Sequence, residues 1–549
     1  MSKSQREVIS RAPRAVAHLR DQLKRHRLGL IFGSGASKDL EFPEWKQLVE
    51  SIAAHPQVRA KKLLARFRSQ GTDASPITRS LASVTQMLFG RFREREIRQR
   101  KLVGKLDFIA EQEIKTDWLR LIHGELYRRI KPNTRPYSIN KHPYLTAFRE
   151  IIKSSPLTVN YNFDDTLEKL LHYSRDSTQK NSTRGYEVID KPNAQFQKDC
   201  GVIYHPNGFL PSIFEDGSSE EVIFSDESFQ DQLISAATGK YVHLSNHLFR
   251  NTCLLIGLSL EDVTLQSLLR QSAVSNPGNV HYIIHFRRKD KKIDKATEET
   301  VFKTNFSCYN LYTLFLDVRG IRSLAELLSM DSDDFALAYP AVHRKFVYYL
   351  IGSVAAGKST ATGNFRNLTT YDEWIDERKP ELAVPGDTLS VQKERDVDSW
   401  VVEQFRKKNY ALLNNKQGIH LIDRCPLDPL TFGKPEQRTR KAKKLVGRIT
   451  AKGKWNVVPG HIIHLDCDLM DVRIRNSLKH KKWPDAEHKR LFEAIGQVYG
   501  PLQRSVICTR GRNANAVASE VARVIFLDDY NPIDIGNELT RIAEQKHAP

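Results

Sequence analysis

The chain has 549 residues, 40% of them apolar and 27% charged, and 85 Lys and Arg against 65 Asp and Glu give it a formal net charge of +20. That is more chain than one hydrophobic core organises, so two or three domains are expected, in a composition typical of soluble globular proteins. No run of 18 apolar residues is present, which excludes a helical membrane span as an expectation.

The start, Met1-Ser2-Lys3-Ser4-Gln5-Arg6, leads into a charged helix and lacks the apolar stretch of a secretory signal. The cysteines (Cys200, Cys253, Cys308, Cys425, Cys467, Cys508) are scattered without a C-x-x-C pair, so neither a zinc cluster nor a disulfide framework is expected, and a reducing cytoplasm is. The positive charge is clustered: Lys24 to Arg27, Arg91 to Lys101, Arg287 to Lys295, Arg438 to Lys444 and Lys479 to Lys482. Such runs serve nucleic-acid phosphates, line clefts for polyphosphate ligands, or form solvated helix faces. The mixed signs of Phe92 to Lys101 favour the last, and no interleaving of aromatic and basic residues favours nucleic acid.

The first strand is expected at Leu28 to Phe32, feeding Gly33-Ser34-Gly35-Ala36-Ser37. A strand followed by a G-x-G turn and a small-residue helix start lets the backbone approach a pyrophosphate closely. Residues 46 to 135 read as a mostly helical insertion. Further strands are expected at Leu157 to Val159, Val202 to Tyr204, Thr252 to Ile256 and His281 to Phe286. Alternation with helices argues for a parallel α/β sheet.

Four segments in order resemble the sirtuin-like NAD-binding fold, in the branch common among bacterial antiphage proteins. They are the Gly33 to Ser37 loop with Phe42-Pro43-Glu44-Trp45, then Asn160 to Glu168, Val202 to Pro211, and Leu254 to Asp262. The likeness spans about residues 25 to 330. It implies that Gly33, Ser34, Gly35, Ala36 and Ser37 hold the pyrophosphate of NAD⁺, and that Gly257 and Ser259 contact the adenosine half. Asn162 would orient the ribose or the attacking water, and Asp164 would brace the pocket. The reaction implied is cleavage of the nicotinamide–ribose bond through an oxocarbenium-like transition state. Two positions depart from the pattern: Asn160 replaces a threonine, and Asn207-Gly208 replaces a histidine-glycine pair, with His205 two residues earlier. Either His205 acts as base from a shifted position, or the site works without a histidine base, or it binds NAD-like ligands without cutting them. Zinc-ribbon cysteine pairs are lacking, which places lysine deacetylation below NAD⁺ hydrolysis.

A boundary is expected near residue 340, after Asp331-Ser332-Asp333-Asp334 and at Tyr339-Pro340, giving domains 1–338 and 339–549. The apolar run Phe346 to Ile351 then meets Gly352-Ser353-Val354-Ala355-Ala356-Gly357-Lys358-Ser359-Thr360, a phosphate-binding loop. Its glycines let the backbone curl around an anion, Lys358 supplies a point charge, and Ser359 is placed to hold Mg²⁺. The strand Gly418 to Ile422 ends in Asp423-Arg424, a carboxylate for Mg²⁺ and a guanidinium for the transferring phosphoryl group. This half resembles deoxynucleoside and thymidylate kinases. The likeness implies Asp372, in Asp372-Glu373-Trp374, as the acidic strand end, and Arg473 and Arg475 as a lid over ATP or a deoxynucleotide.

The expected fold class is therefore α/β: a Rossmann-like sirtuin domain with a helical insertion, followed by a P-loop nucleoside-kinase-like domain. The expected function is an antiphage NAD⁺ glycohydrolase in which a nucleotide, or another phage-derived trigger, acts on the second domain, within a homo-oligomer. One alternative is a nucleoside or nucleotide kinase regulated by NAD or ADP-ribose. Another is a nucleic-acid-binding regulator.

Overall fold

The computed structural model describes residues 2–61, 81–104, 106–130, 142–172, 186–190, 201–213, 222–237, 241–260, 262–288, 293–383, 390–477 and 484–545. Parts of the expected helical insertion (62–80, 105 and 131–135), the Lys479 to Lys482 cluster and Cys200 lie outside them. The chain divides into two compact units, one of Met1–Val8, Gln22–Ser272 and His281–Ala338, the other of Ile9–Asp21, Ala273–Val280 and Tyr339–Pro549. No helix among the described residues is long and apolar enough to cross a membrane.

The first unit is built on a seven-stranded Rossmann-like sheet of β1 (Leu28–Phe32), β2 (Thr158–Asn160), β3 (Tyr186–Ile189), β4 (Gly201–Tyr204), β5 (Thr252–Ile256), β6 (His281–Phe286) and β7 (Leu311–Leu316). Their spatial order is β3-β4-β2-β1-β5-β6-β7, and every pairing is parallel. A parallel sheet covered on both faces needs strands apolar on both sides. β1 and β5 satisfy that throughout, with each of their residues buried. Leu244, Leu248, Leu265, Leu268 and Leu269, from two helices, pack with Ile31, Leu255 and Ile283 in one core. Full burial of each such side chain contributes about 1.5–3 kcal/mol.

The strand order reverses about β1: the chain steps outward one way through β2 and β4, and the other way through β5, β6 and β7. Open parallel sheets form their ligand crevice at such a reversal, beyond the carboxyl ends of the strands. Of the insertion, the helices Trp45–Ala54, Leu81–Gln99 and Phe108–Tyr127 are described. In the mixed-sign run Arg91, Glu94 and Arg98 are exposed, but Arg93 and Arg100 are half-buried and pair across to the helix Phe108–Tyr127, with Glu111 at 2.8 Å and Glu113 at 2.9 Å, while Glu96 and Phe92 are buried.

The second unit carries a five-stranded sheet of β8 (Lys345–Ile351), β9 (Thr369–Tyr371), β10 (Gly418–Asp423), β11 (His461–Asp466) and β12 (Ser505–Cys508). Its order is β12-β11-β8-β10-β9, again wholly parallel. β8 is central and buried from Phe346 to Ile351. Segment Ile9–Asp21 belongs to this unit. Arg14 Nη1 donates to the Ile525 carbonyl at 2.8 Å, and the buried His18 ring packs edge-on against Phe526 at 5.4 Å.

Three strands were not expected from sequence, β3, β7 and β12, and β9 was expected only through the acidic strand end at Asp372 that the kinase likeness implied. β3, β9 and β12 are edge strands of three or four residues whose side chains are mostly half-buried or exposed, so their apolar pattern is weak. β7 has apolar residues nearly throughout, and only its position directly after the helix Lys295–Tyr309 obscures it.

Candidate functional site

In the first unit the loops after β1, β2, β4 and β5 meet at the carboxyl edge of the sheet. The loop after β1 turns at Gly33 into a short 3-10 helix, Ser34–Ala36. The Gly35 N–H donates to the Gly257 carbonyl at 3.0 Å, and the Gly33 N–H to the Ile256 carbonyl at 2.9 Å. Gly257 adopts φ +71°, and a Cβ there would lie 2.4 Å from the Ala36 nitrogen. The glycines thus bring two loops into backbone contact, which a side chain forbids. His142, which carried no signal in the sequence, lies beneath them: its Nε2 bonds the Ala36 carbonyl at 2.9 Å, while its Nδ1 accepts from the Leu145 N–H at 3.0 Å. Burial pushes its pKa down to about 4, so the ring is neutral.

Asn162 is drawn to this loop. Its Nδ2 donates to the Gly33 carbonyl and to the Ser37 hydroxyl, each at 3.1 Å, and its own N–H is held by Asn160 Oδ1 at 3.2 Å. Asp164 is buried, accepts a backbone hydrogen bond from the Thr166 N–H at 3.0 Å, and lies near enough to the Ser37 hydroxyl for it to favour the charged form. Burial raises its pKa to about 6, against those polar contacts. Asn162, Ser37 and Asp164 therefore stand as one polar row beside the glycine loop.

His205 is placed differently from a free base. The ring is fully buried, with Nδ1 on the Asn162 carbonyl at 2.9 Å and Nε2 on Glu168 Oε1 at 2.8 Å, so both nitrogens are committed within the protein. Asn207 cross-ties the loops: it accepts from Gln232 Nε2 at 2.9 Å and donates to the Tyr161 carbonyl at 3.5 Å. Ser259 is exposed on the loop after β5. Glu168 and Gln232 were not singled out from sequence, because a helix carboxylate and a helix amide are common surface residues there.

In the second unit the loop after β8 curls tightly. Gly352 has φ +151°, and a Cβ on it would meet the Leu465 carbonyl oxygen at 2.6 Å. Ala355 and Gly357 are left-handed at φ +67° and +97°. Lys358 is buried, and its Nζ donates to the Gly352 and Ser353 carbonyls at 2.9 Å each. Burial, reinforced by Arg424, lowers its pKa. Ser359 Oγ donates to Asp423 Oδ2 at 2.7 Å, while Asp423 Oδ1 is buried without a hydrogen-bond partner. The Ala356 carbonyl accepts from Arg475 Nη1 at 3.2 Å. Thr360 is exposed at the start of the helix Lys358–Gly363.

Beside this loop opens a cavity of about 620 Å³, lined among others by Lys358, Ser359, Glu373, Trp374, Arg424 and Phe432. Arg424 sits at φ +77° with its guanidinium 5.4 Å from the Trp374 and Phe432 ring centres. A left-handed arginine is a strained residue held by its surroundings. Here two bonds to Glu373 Oε1, at 2.9 and 2.6 Å, and one to Asp428 at 3.4 Å hold it. Burial works against the Glu373 carboxylate, yet Arg424 and Lys358 bring its pKa down to about 2. Lys408 Nζ bridges the Glu373 and Asp423 carbonyls at 2.9 and 2.7 Å, and burial lowers its pKa to about 8.

The acidic residue at the end of β9 that reaches the cavity is Glu373. Its neighbour Asp372 is exposed and pairs with Arg366 at 2.9 Å. Arg473 is likewise exposed and bound to Asp485, whereas Arg475 touches the loop. Glu373, Asp428, Lys408 and Trp374 complete the arrangement. The alternating exposure at the end of a short edge strand decides which of two adjacent acids turns inward, and no sequence pattern reports it.

Residues 156–309 match the family described as SIR2-like domain. The match runs from just before β2 to the end of the helix preceding β7, taking in Asn162, Asp164, His205, Asn207, Gly257 and Ser259. The glycine loop after β1 and the helical insertion lie ahead of the matched stretch, in the middle of the chain rather than at its start. No curated protein matches the chain. A SIR2-like domain is compatible with NAD-related chemistry.

Proposed function

We propose that the first unit is an NAD⁺ glycohydrolase and that the second binds a nucleotide which governs it, as in bacterial defence against phage. The observation that carries the first half is the convergence of Gly33, Ser37, Asn162 and Asp164 at the strand-order reversal, in a sheet of which β2 to β6 lie within the SIR2-like match. Loops joined by glycine backbones suit the pyrophosphate, with Asn207, Gly257 and Ser259 on the adenosine side. The Asn162 amide and the Asp164 carboxylate suit the cationic sugar that develops as nicotinamide leaves. Asp164, held near neutrality in pKa by burial, takes the proton of the attacking water.

The second unit's cavity has the size of a small-ligand pocket. Lys358 and Arg424 supply positive charge at its phosphate end, and Arg475 holds the loop from outside the cavity through the Ala356 carbonyl. Ser359 and the unpartnered Asp423 Oδ1 would hold Mg²⁺, which when bound neutralises phosphate charge. The cavity is roomy enough for a nucleoside moiety beside Trp374 and Phe432. An antiphage role follows from joining a nucleotide site to a destructive hydrolase: NAD⁺ loss is harmful unless a signal restrains it. Switching a mostly silent enzyme mostly on needs ~5 kcal/mol of preference for the active state.

The test is NAD⁺ consumption by purified full-length protein across nucleoside mono-, di- and triphosphates with Mg²⁺, reading nicotinamide release. Release stimulated by one nucleotide class supports the proposal, and NAD⁺ left intact under every condition overturns it. The engagement of both His205 nitrogens favours a second reading, a nucleotide kinase whose first unit binds NAD or ADP-ribose without cleaving it. Phosphoryl transfer to nucleosides without NAD⁺ loss decides for that one.

A further inference from the structure

The ring of His205 poses a definite proton count. Nδ1 faces a backbone carbonyl, which can only accept, and Nε2 faces a carboxylate, which when ionised can only accept. A neutral imidazole carries one N–H and leaves one of these two contacts without a hydrogen between its oxygen and nitrogen. With the Glu168 carboxylate ionised, the arrangement is satisfied on both sides only when both nitrogens donate.

We infer that Glu168 and His205 form a fixed imidazolium–carboxylate brace which holds the Asn162 backbone, making His205 a positioning residue and not the base of the site. The brace is continuous over three residues. Glu168 Oε1 accepts from Nε2–H at 2.8 Å, Nδ1–H donates to the Asn162 carbonyl at 2.9 Å, and the Asn162 side chain reaches the Gly33 carbonyl and the Ser37 hydroxyl at 3.1 Å. Glu168 rises from the helix Thr166–His172, so the strand-end loop after β4 is tied through the ring to the helix that follows Asn162. The residue is pinned further by its backbone N–H, which donates to the Ile189 carbonyl at 2.7 Å, and by Phe209, whose ring centre lies 4.5 Å from the imidazole.

The electrostatics agree with the geometry. The charged groups acting on the ring are Glu168 and, secondarily, Asp164. Burial opposes the ring's charge, but Glu168, the Asn162 carbonyl and Asp164 outweigh it and raise the pKa above its usual value. Imidazolium and carboxylate cancel as a pair, so the brace adds no net charge beside a cationic sugar. A histidine base would do the reverse of this: it must be unprotonated, with one nitrogen free to face the water.

The two roles give opposite pH signatures. As a brace, His205 supports activity while it is charged, so activity falls on the alkaline side as the ring loses its proton; as a base, activity rises through the ring's pKa. Asp164 supplies an acid limb near pH 6 in either case, so the decisive variant is Glu168→Gln, which removes the ring's counter-charge. The brace predicts that the alkaline limb moves down by about one pH unit or more while the acid limb stays. A base predicts that the acid limb moves down instead.

This inference rests on the NAD⁺ reading only for that activity arm. The second arm uses full-length protein with ¹⁵N-labelled histidine, whose His205 ring signals are assigned by their loss in His205→Gln. Two protonated ring nitrogens at pH 7 support the brace; one unprotonated nitrogen overturns it, whether or not Glu168→Gln folds. Two protonated nitrogens with no NAD⁺ cleavage leave the brace standing and remove the glycohydrolase. Cleavage with a neutral His205 ring removes the brace alone.

Discussion

The Asn162 side-chain amide donates to the Ser37 hydroxyl at 3.1 Å, joining the loop after β2 to the loop after β1 across 125 positions of sequence. The Ser37 hydroxyl in turn favours the ionised form of Asp164. Asn162→Ala is therefore expected to cut NAD⁺ turnover by ~10²-fold or more, the scale of losing one preorganised donor at a developing charge. Ser37→Ala should lower turnover less and shift its acid limb upward, because Asp164 loses a nearby hydroxyl that favours its ionised form. Nicotinamide release at several pH values reads both.

Asp164 also makes stability depend on pH. Its folded pKa, about 6, lies above the usual 3.8, so the folded protein binds this proton more tightly than the unfolded chain. The stability it supplies is full below about pH 4 and is lost as pH rises through 6. Asp164→Asn should stabilise the protein above pH 7 by up to roughly 3 kcal/mol, with little effect at pH 4. Denaturant titrations at the two pH values check this. Equal effects at both would contradict the assignment.

Gly257→Ala should be costly although it adds one methyl group. That carbon would meet the Ala36 nitrogen at 2.4 Å on a backbone at φ +71°. We expect a loss of about 2–4 kcal/mol or a displaced glycine loop. The measurements are a thermal melt and NAD⁺ binding, and an unchanged melting point with unchanged binding would contradict the close approach.

In the second unit, Lys358→Ala is expected to abolish nucleotide binding and nucleotide-stimulated NAD⁺ loss while leaving the first unit folded. Asp423→Asn should weaken the Mg²⁺-dependent part of binding alone. Calorimetry with and without Mg²⁺ separates the two. Full nucleotide stimulation in Lys358→Ala would remove the coupling and leave the glycohydrolase intact.

Adjacent acids should behave unequally. Glu373 is held near pKa 2, below its usual 4.5, so the stability it supplies is present above pH 4.5 and is lost as pH falls towards 2. Glu373→Gln should cost roughly 3 kcal/mol at pH 7 and widen the freedom of Arg424. Asp372→Asn, on an exposed pair with Arg366, should change stability by less than ~0.5 kcal/mol. Urea denaturation of the two variants compares them directly.

The central strands of both sheets and the loops that follow them were legible, because β1, β5, β8 and β10 are largely apolar runs that lead into a glycine or a charged residue. Asn162 and Asp164 were legible as a motif. The role of His205 was not, since it depends on Glu168 being one helical turn beyond the loop and turned inward. The inward acid of the second unit was misplaced by one residue for a similar reason. Periodicity reports which face of a regular element is buried, but Asp372 and Glu373 lie where β9 has already ended.

The second unit is not one uninterrupted length of chain. A fragment beginning at Tyr339 would lack Ile9–Asp21 and Ala273–Val280. It would leave the Ile525 carbonyl without Arg14, Phe526 without His18, and the Asn515 amide without the Val274 carbonyl. Severing the protein at the apparent linker would thus bare an oily flank and invite aggregation. Any attempt to study nucleotide recognition in isolation must splice those two pieces back or keep the polypeptide whole.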